Sequence, residues 1–362
     1  MKLDFVNFLV EDTVEATQGQ HILHPEDAIF TGSAEALRIL EAVKATIGKP
    51  GVASIKWDGG IALFFGYTGG GDFFISDKYM YPNGFYAKSP ADWQRYDTTI
   101  KSTRTARPDL YPKIAAIWEG LKADCGNTKA IYKGDLMAFG TDLEPKNGEF
   151  VFKPTTVTYN VPVKSPIGST LAGKAALVVV HTMDGKPWDG KTGLTNAGNV
   201  AVLSPNAGNK IGLNVDPDPK NTVQATIKRY GPAVDSFLGG LNKTLRGKIQ
   251  TYFNKKITGQ VKTGIVQWSL EPAQRLSRVQ REQFPKYLEE NADGYNALRT
   301  VWNAVYELKL KLAHELEQGV GGFTQSVAGH PGGEGFVLNT DAGLIKLVNR
   351  GAGGFGGAHF NK

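Results

Sequence analysis

Between residues 222 and 318 the apolar side chains recur largely at intervals of three and four. Ile227, Phe237, Leu241, Leu245, Ile249, Tyr252 and Phe253 set the rhythm, and residues 280–318 continue it. That period belongs to amphipathic helices. On both sides the texture is different: short β-prone runs at 52–56, 61–66, 72–76, 130–139, 149–152 and 175–181, and again at 334–338 and 344–348. A chain that leaves strands, makes helices and returns to strands predicts an α+β protein whose helical block, 190–325, is inserted between 1–189 and 326–362. Within the first part, Leu37, Ile39, Leu40 and Val43 predict a helix ending near Ile47, and residues 112–122 a second one. The runs at 52–56, 61–66 and 72–76 read as an antiparallel meander, with Trp57-Asp58-Gly59-Gly60 as its first turn. The segment after Arg350 is glycine-rich and reads as a mobile tail.

Composition narrows the function classes. With 362 residues and 41% hydrophobic content the chain can bury a large core. It has no run near the roughly 18 apolar residues that a bilayer span needs, so no membrane partner is expected. The first residues lack a secretory pattern, and the lone Cys125 supports neither a disulfide framework nor a zinc cluster; both point to a reducing, cytoplasmic setting. Charge is concentrated: residues 220–286 carry thirteen Lys and Arg against Asp235, Glu271 and Glu282, a net +10, while the rest of the chain sums to −4. Such a block is the footprint expected of a polyanion partner. Lys228, Arg229, Lys243, Arg246, Lys248, Lys255, Lys256, Arg275 and Arg278 are its candidate phosphate contacts. The interleaved Tyr230, Phe237, Tyr252, Phe253, Trp268 and Phe284 fall at helical spacing, which reads mostly as core.

The sharpest local motif is Lys56-Trp57-Asp58-Gly59-Gly60, a lysine ending a strand with a carboxylate two residues on. A lysine amine is nucleophilic only when its surroundings lower its pKa. Four further motifs follow in order: Gly134-Asp135-Leu136-Met137; Leu177-Val178-Val179-Val180-His181; Glu334-Gly335-Phe336-Val337; and Ile345-Lys346-Leu347-Val348. The five-part order resembles the covalent lysyl-nucleotidyltransferase superfamily of ATP-dependent DNA and RNA ligases and messenger-RNA capping enzymes, in a compact, phage-type form.

The resemblance implies an antiparallel-sheet nucleotidyltransferase (adenylation) domain of the ATP-grasp-like ligase type, contributed by 1–189 and 326–362, with the helical subdomain inserted. It implies that Lys56 attacks ATP to form a lysyl-adenylate, with Asp58 and Lys346 assisting. Ile55, Lys78, Asp135, His181 and Glu334 would complete the nucleotide site, His181 by stacking on adenine. Asp58, Asp135 and Glu334 would serve Mg²⁺, or Mn²⁺ in its place. Departures from the family pattern are Ile61 where many members have arginine, Asp135 in place of glutamate, and Val348 in place of a second lysine, for which Arg350 or Lys362 could compensate. Only twelve residues follow Arg350, too few for a C-terminal OB barrel, so the basic block is expected to grip the nucleic acid instead. The expected activity is sealing of nicked duplex DNA by a monomer, in replication or repair. RNA or mixed RNA/DNA end joining stands as the alternative, and capping or non-catalytic binding are more distant ones. His21 and His24, beside Pro25-Glu26-Asp27, read as a turn rather than a metal pair.

Overall fold

The computed structural model describes residues 22–100, 106–207, 209–216, 218–351 and 354–360. After a 3₁₀ turn at Pro25–Phe30 come α1 (Ser33–Lys44), β1 (Ala53–Lys56), β2 (Ile61–Tyr67), β3 (Phe73–Asp77), α2 (Pro90–Arg95) and α3 (Tyr111–Cys125). Next are β4 (Ile131–Phe139), β5 (Glu149–Phe152), β6 (Val157–Pro162), α4 (Pro166–Leu171), β7 (Ala176–Met183), β8 (Lys186–Pro187) and β9 (Val200–Leu203). The helical stretch holds α5 (Thr222–Gly239), α6 (Lys243–Ile257), α7 (Ile265–Leu270), α8 (Arg278–Glu290) and α9 (Ala292–Gln318). It is followed by β10 (Thr324–Val327), β11 (His330–Pro331), β12 (Gly335–Thr340), β13 (Gly343–Val348) and α10 (Phe355–Phe360). The protein is α+β, with antiparallel and mixed sheets.

Of the described residues, Trp57–Asn209 and Gly321–Gly333 make one compact unit. The other consists of Ile22–Lys56, Lys210–Val320 and the residues from Glu334 onward. These lines differ from the expected 1–189, 190–325 and 326–362. The reason is pairing: β1 finds its ladder on β12, and α1 is tied to α5 through Asp235, which accepts from the Ser33 N–H (2.8 Å) and hydroxyl (2.6 Å). The expected meander is corrected at its first strand for the same reason. β2 and β3 form an antiparallel hairpin, but β1 lies in another sheet.

In the first unit, a six-stranded sheet runs β3-β2-β4-β7-β8, with β9 added parallel to β7. One face, including Leu63, Phe65, Tyr132, Leu136, Val178 and Val180, forms a core with Ile114, Ile117 and Leu121 of α3. A second sheet, β11-β10-β6-β5, carries the anchor for Trp57. The indole is stacked on Tyr159 (4.9 Å, 21°) and on Phe323 (4.9 Å, 23°), and its Nε1–H donates to the Pro205 carbonyl at 2.8 Å. A buried ring with its one donor satisfied fixes the chain rather than letting it turn. The residues following Lys56 are therefore a moored crossover, not a hairpin loop.

In the second unit, β1, β12 and β13 form a three-stranded sheet, and α9 buries an apolar stripe that includes Leu298, Val301, Trp302, Leu308, Leu312 and Leu316. The glycine-rich segment expected as a tail folds back as α10. The Gly356 N–H bonds to the Asn349 carbonyl and the Gly357 N–H to the Gly351 carbonyl, both at 3.0 Å, and Phe355 is buried. No helix among the described residues is long and apolar enough to cross a membrane. Replacing Trp57 by Ala is expected to cost about 3–5 kcal/mol in urea unfolding of the full chain, and Trp57→Phe, which keeps the stack, distinctly less.

Candidate active site

The three-stranded sheet has one dry face and one polar face, and its register explains both. Ala53, Leu338 and Ile345 stand opposite one another, as do Ile55, Phe336 and Leu347, and all six are buried. Alternation sends the neighbouring residues to the other side. There Lys56 stands opposite Gly335, and Ser54 and Lys346 stand opposite Val337. The two lysines singled out from sequence thus share one face on the two strands that flank β12. Ile55 was expected in the nucleotide site, but its side chain lies on the buried face and is withdrawn from that role.

Glu334 reaches Lys56, with its Oε1 2.7 Å from the amine nitrogen. Gly335 makes this possible. Its φ of 137° is closed to ordinary L-residues, and a Cβ there would meet the Leu347 carbonyl oxygen at 2.3 Å. The glycine of the Glu-Gly motif therefore sets the backbone that brings Glu334 to the lysine.

In the first unit, the glycines after Lys56 dock on β4. A Cβ on Gly59 would lie 2.2 Å from Cβ of Asp135, and the Gly60 N–H donates to the Leu136 carbonyl at 3.1 Å. Two motifs far apart in the sequence are in direct contact, so position 59 has room for glycine alone. Asp135 Oδ2 is 2.9 Å from His181 Nε2. His181 is the extra residue of a β-bulge, because Gly134 faces Val180 and Lys133 faces Thr182. Its ring is partly exposed and held edge-on by Asp135, rather than sunk in the core. Lys78, just past β3, is partly exposed, with Nζ 5.6 Å from the Tyr79 ring centroid.

Asp58 has a structural task that its motif did not announce. Its Oδ2 accepts from the N–H groups of Thr156 (2.7 Å) and Val157 (3.1 Å), while its own N–H donates to the Tyr159 hydroxyl at 2.8 Å. This buried carboxylate anchors backbone and does not present that oxygen to a cation. Among the described residues, no three His, Cys, Asp or Glu side chains are grouped to hold a metal. Mg²⁺ commonly takes only one or two protein carboxylates and completes its shell with water and substrate phosphate. On that donor chemistry Glu334 and Asp135 fit as single ligands, while Asp58 already commits one oxygen to backbone N–H groups.

A buried polar cluster of the second unit was missed from sequence. Glu26 and Asp27 are buried with Lys309 and Arg350. Lys309 and Arg350 both contact Glu26 Oε1, and Arg350 forks onto Asp27 at 2.9 and 3.1 Å. Arg350, suggested above as a substitute for a second motif lysine, is thus committed to this quartet, and Lys362 lies outside the described residues. One signal was available: Lys309 falls on the apolar stripe of α9 with Val305, Leu312 and Leu316. A charge on such a stripe demands a buried counter-charge. Burial, partly offset by Glu26, pushes the Lys309 pKa down to about 8. His24 stands beside the quartet. Burial first, and then the charges of Arg350, Lys309, Lys346 and Lys56, hold its imidazole well below the usual 6.5. His21, read with it as part of a turn, lies outside the described residues.

Among the expected nucleic-acid contacts, Lys228, Arg229, Lys243, Lys255, Lys256, Arg275 and Arg278 are exposed. Arg246 and Lys248 are half-buried. Arg246 donates to the Leu241 carbonyl, Lys256 to those of Lys262 and Thr263, and Arg278 pairs with Glu282. Phe237, Tyr252, Phe253, Trp268 and Phe284 are buried core, in keeping with their spacing.

The match to known families runs over residues 19–362. The chain belongs to DUF6267, a family of unknown function. No curated protein and no solved structure matches it.

Two outcomes are expected here. Gly59→Ala should displace Asp135 and lower stability by at least about 2 kcal/mol in denaturant unfolding, because the new methyl meets backbone-proximal atoms on a strand. His24 has a folded-state pKa below its unfolded value, so the unfolded chain takes up a proton near pH 6.5 that the folded chain refuses. The stability His24 confers is present above that pH and is lost as pH falls. His24→Gln should flatten the decline of unfolding free energy between about pH 7 and 5, measured by urea titration at each pH.

Proposed function

We infer that this protein is an ATP-dependent polynucleotide ligase working through a lysyl-AMP intermediate, with nicked duplex DNA as substrate. One observation carries the reading. Lys56, Glu334 and Lys346, identified from separate motifs, come together at one three-stranded sheet, with both lysines on its polar face and Glu334 in contact with Lys56. The Asp135–His181 pair, with Gly59 packed on Asp135, adds support from the remaining motifs.

In this reading Lys56 passes a proton to the Glu334 carboxylate, 2.7 Å away, and its Nζ attacks the α-phosphorus of ATP. A phosphorus–nitrogen bond forms and the bond to the β-phosphate oxygen breaks, releasing pyrophosphate. Glu334 holds the amine in place, and Lys346 offsets the charge that builds on the α-phosphoryl oxygens. The resemblance assigns His181 to the adenine, and within its own unit Asp135 fixes the orientation of the ring. Mg²⁺, when bound, supplies further charge neutralisation on the phosphates. The adenylyl group then passes to a 5′-phosphate, and a neighbouring 3′-hydroxyl displaces AMP to close the strand. The exposed Lys228, Arg229, Lys243 and Lys255 serve the nucleic-acid backbone.

The test is incubation with ATP and Mg²⁺ followed by intact mass measurement. A gain of one AMP that Lys56→Ala abolishes is expected; its absence from wild type sinks the reading. Sealing of a 5′-phosphorylated nick in duplexes with DNA or RNA on either side of the break then separates DNA joining from RNA or mixed joining. Replacing Lys228, Arg229 and Lys255 by Ala should lower the slope of log K against log salt by about 0.9 for each phosphate that the variant no longer neutralises.

A further inference from the structure

His24 lies next to the three-stranded sheet but in none of the motifs that suggested a function. Leu23 bridges Ile345 in parallel, and the Lys346 N–H donates to the Leu23 carbonyl at 2.9 Å. The segment thus continues the sheet beyond β13. Leu23 shares the dry face with its partner Ile345, and the backbone at His24 is extended (φ −81°, ψ 132°). Alternation therefore places His24 on the polar face, next to Lys346 and on the same side as Lys56.

The two ring nitrogens have different surroundings. Nδ1 is sealed from solvent and, among the described residues, has no hydrogen-bond partner. The nearby buried quartet contains an orphan of the opposite kind, the Arg350 Nε–H, also without a partner. The charges around the ring are Arg350, Lys309, Lys346 and Lys56. Glu26 and Asp27 balance Arg350 and Lys309 within the quartet, and Glu334 balances Lys56. The cations around the ring favour its neutral form, and an Nδ1 sealed from solvent with no acceptor beside it among the described residues is better left as a lone pair than as an N–H, which puts the proton on Nε2. The result is an uncharged, oriented N–H donor beside two lysines, a combination that suits an oxyanion.

We propose that His24 is a phosphate-binding residue of the Lys56–Lys346 face, with its Nε2–H donating to a phosphate oxygen of the bound nucleotide. This deepens the ligase reading and rests on it for the nucleotide, but the donor itself can be tested with an anion that carries no adenosine. Because the donor is neutral, its contribution persists across neutral and alkaline pH, where an imidazolium would be lost.

The experiment is calorimetric titration of the full chain with inorganic tripolyphosphate in magnesium-free buffer. His24→Phe should weaken binding by roughly tenfold or more, as expected for a lost hydrogen bond to a charged group. His24→Gln, whose amide nitrogen sits where Nε2 was, should restore affinity to within about threefold. Circular dichroism melts of both variants separate binding from folding. Imidazole-nitrogen NMR of wild type should show the Nε2–H tautomer, with that proton shifting on addition of the anion. Unchanged affinity in a folded His24→Phe overturns the proposal, and so does failure of a folded His24→Gln to rescue, or an imidazolium signal in the complex. Lysyl-AMP formation is scored separately. Tripolyphosphate binding that depends on His24, without AMP attachment, would sink the ligase reading and leave the phosphate site standing.

Discussion

The ladder between β1 and β12 is the constraint on which the rest depends. Four residue pairs, from Ala53 with Leu338 to Lys56 with Gly335, join segments far apart in the sequence. Once that register is set, strand alternation settles the character of both faces. Ile55 must enter the core and Lys56 must leave it, and a slip of one residue would exchange them, burying an ammonium and exposing an isoleucine. Gly335 adds the local irregularity that regular alternation cannot supply, bringing Glu334 to the lysine although it precedes the strand.

The second unit also maintains four buried charges, an arrangement that hydrophobic residues of similar volume would often match or exceed in stability. Burial disfavours the charged forms: the Lys309 pKa is pushed down to about 8, while Glu26 and Asp27 raise Arg350 against the same effect. The quartet links the turn at Pro25–Phe30, the middle of α9 and the residue two past β13. Such a clasp is directional where apolar packing is not, because a fork of guanidinium onto carboxylate tolerates little rotation. Its position next to His24 and Lys346 gives that directionality a use.

What could be read from the sequence was local. The apolar period identified α1, α5, α6 and α9, and short branched or aromatic runs identified β2, β3, β4, β7, β12 and β13, because each of those signals is complete within one element. Pairing is not local, which is why β1 was joined to the wrong neighbour and why the unit boundaries fell elsewhere. β10, Thr-Gln-Ser-Val, carries no apolar alternation and becomes a strand only because β6 offers it a ladder. Of the candidate site, Lys56, Glu334, Lys346, Asp135 and His181 were legible as motifs. The backbone anchoring by Asp58 was not legible because a carboxylate beside glycine looks the same whether or not it caps N–H groups, and Glu26 and Asp27 looked like turn residues because their counter-charges lie far along the chain.

The closure of β1 by β12 also bears on how the chain is made. During synthesis Ala53–Lys56 is made well before its partner strand, which starts at Gly335, so the strand carrying the lysine waits without that ladder while the residues between them are added. Contacts of such long sequence separation are slow to form, since loop closure must precede their reward. The lysine and its glutamate can therefore meet only when nearly everything between them already exists, and an interrupted or truncated chain would contain the motif without the pair.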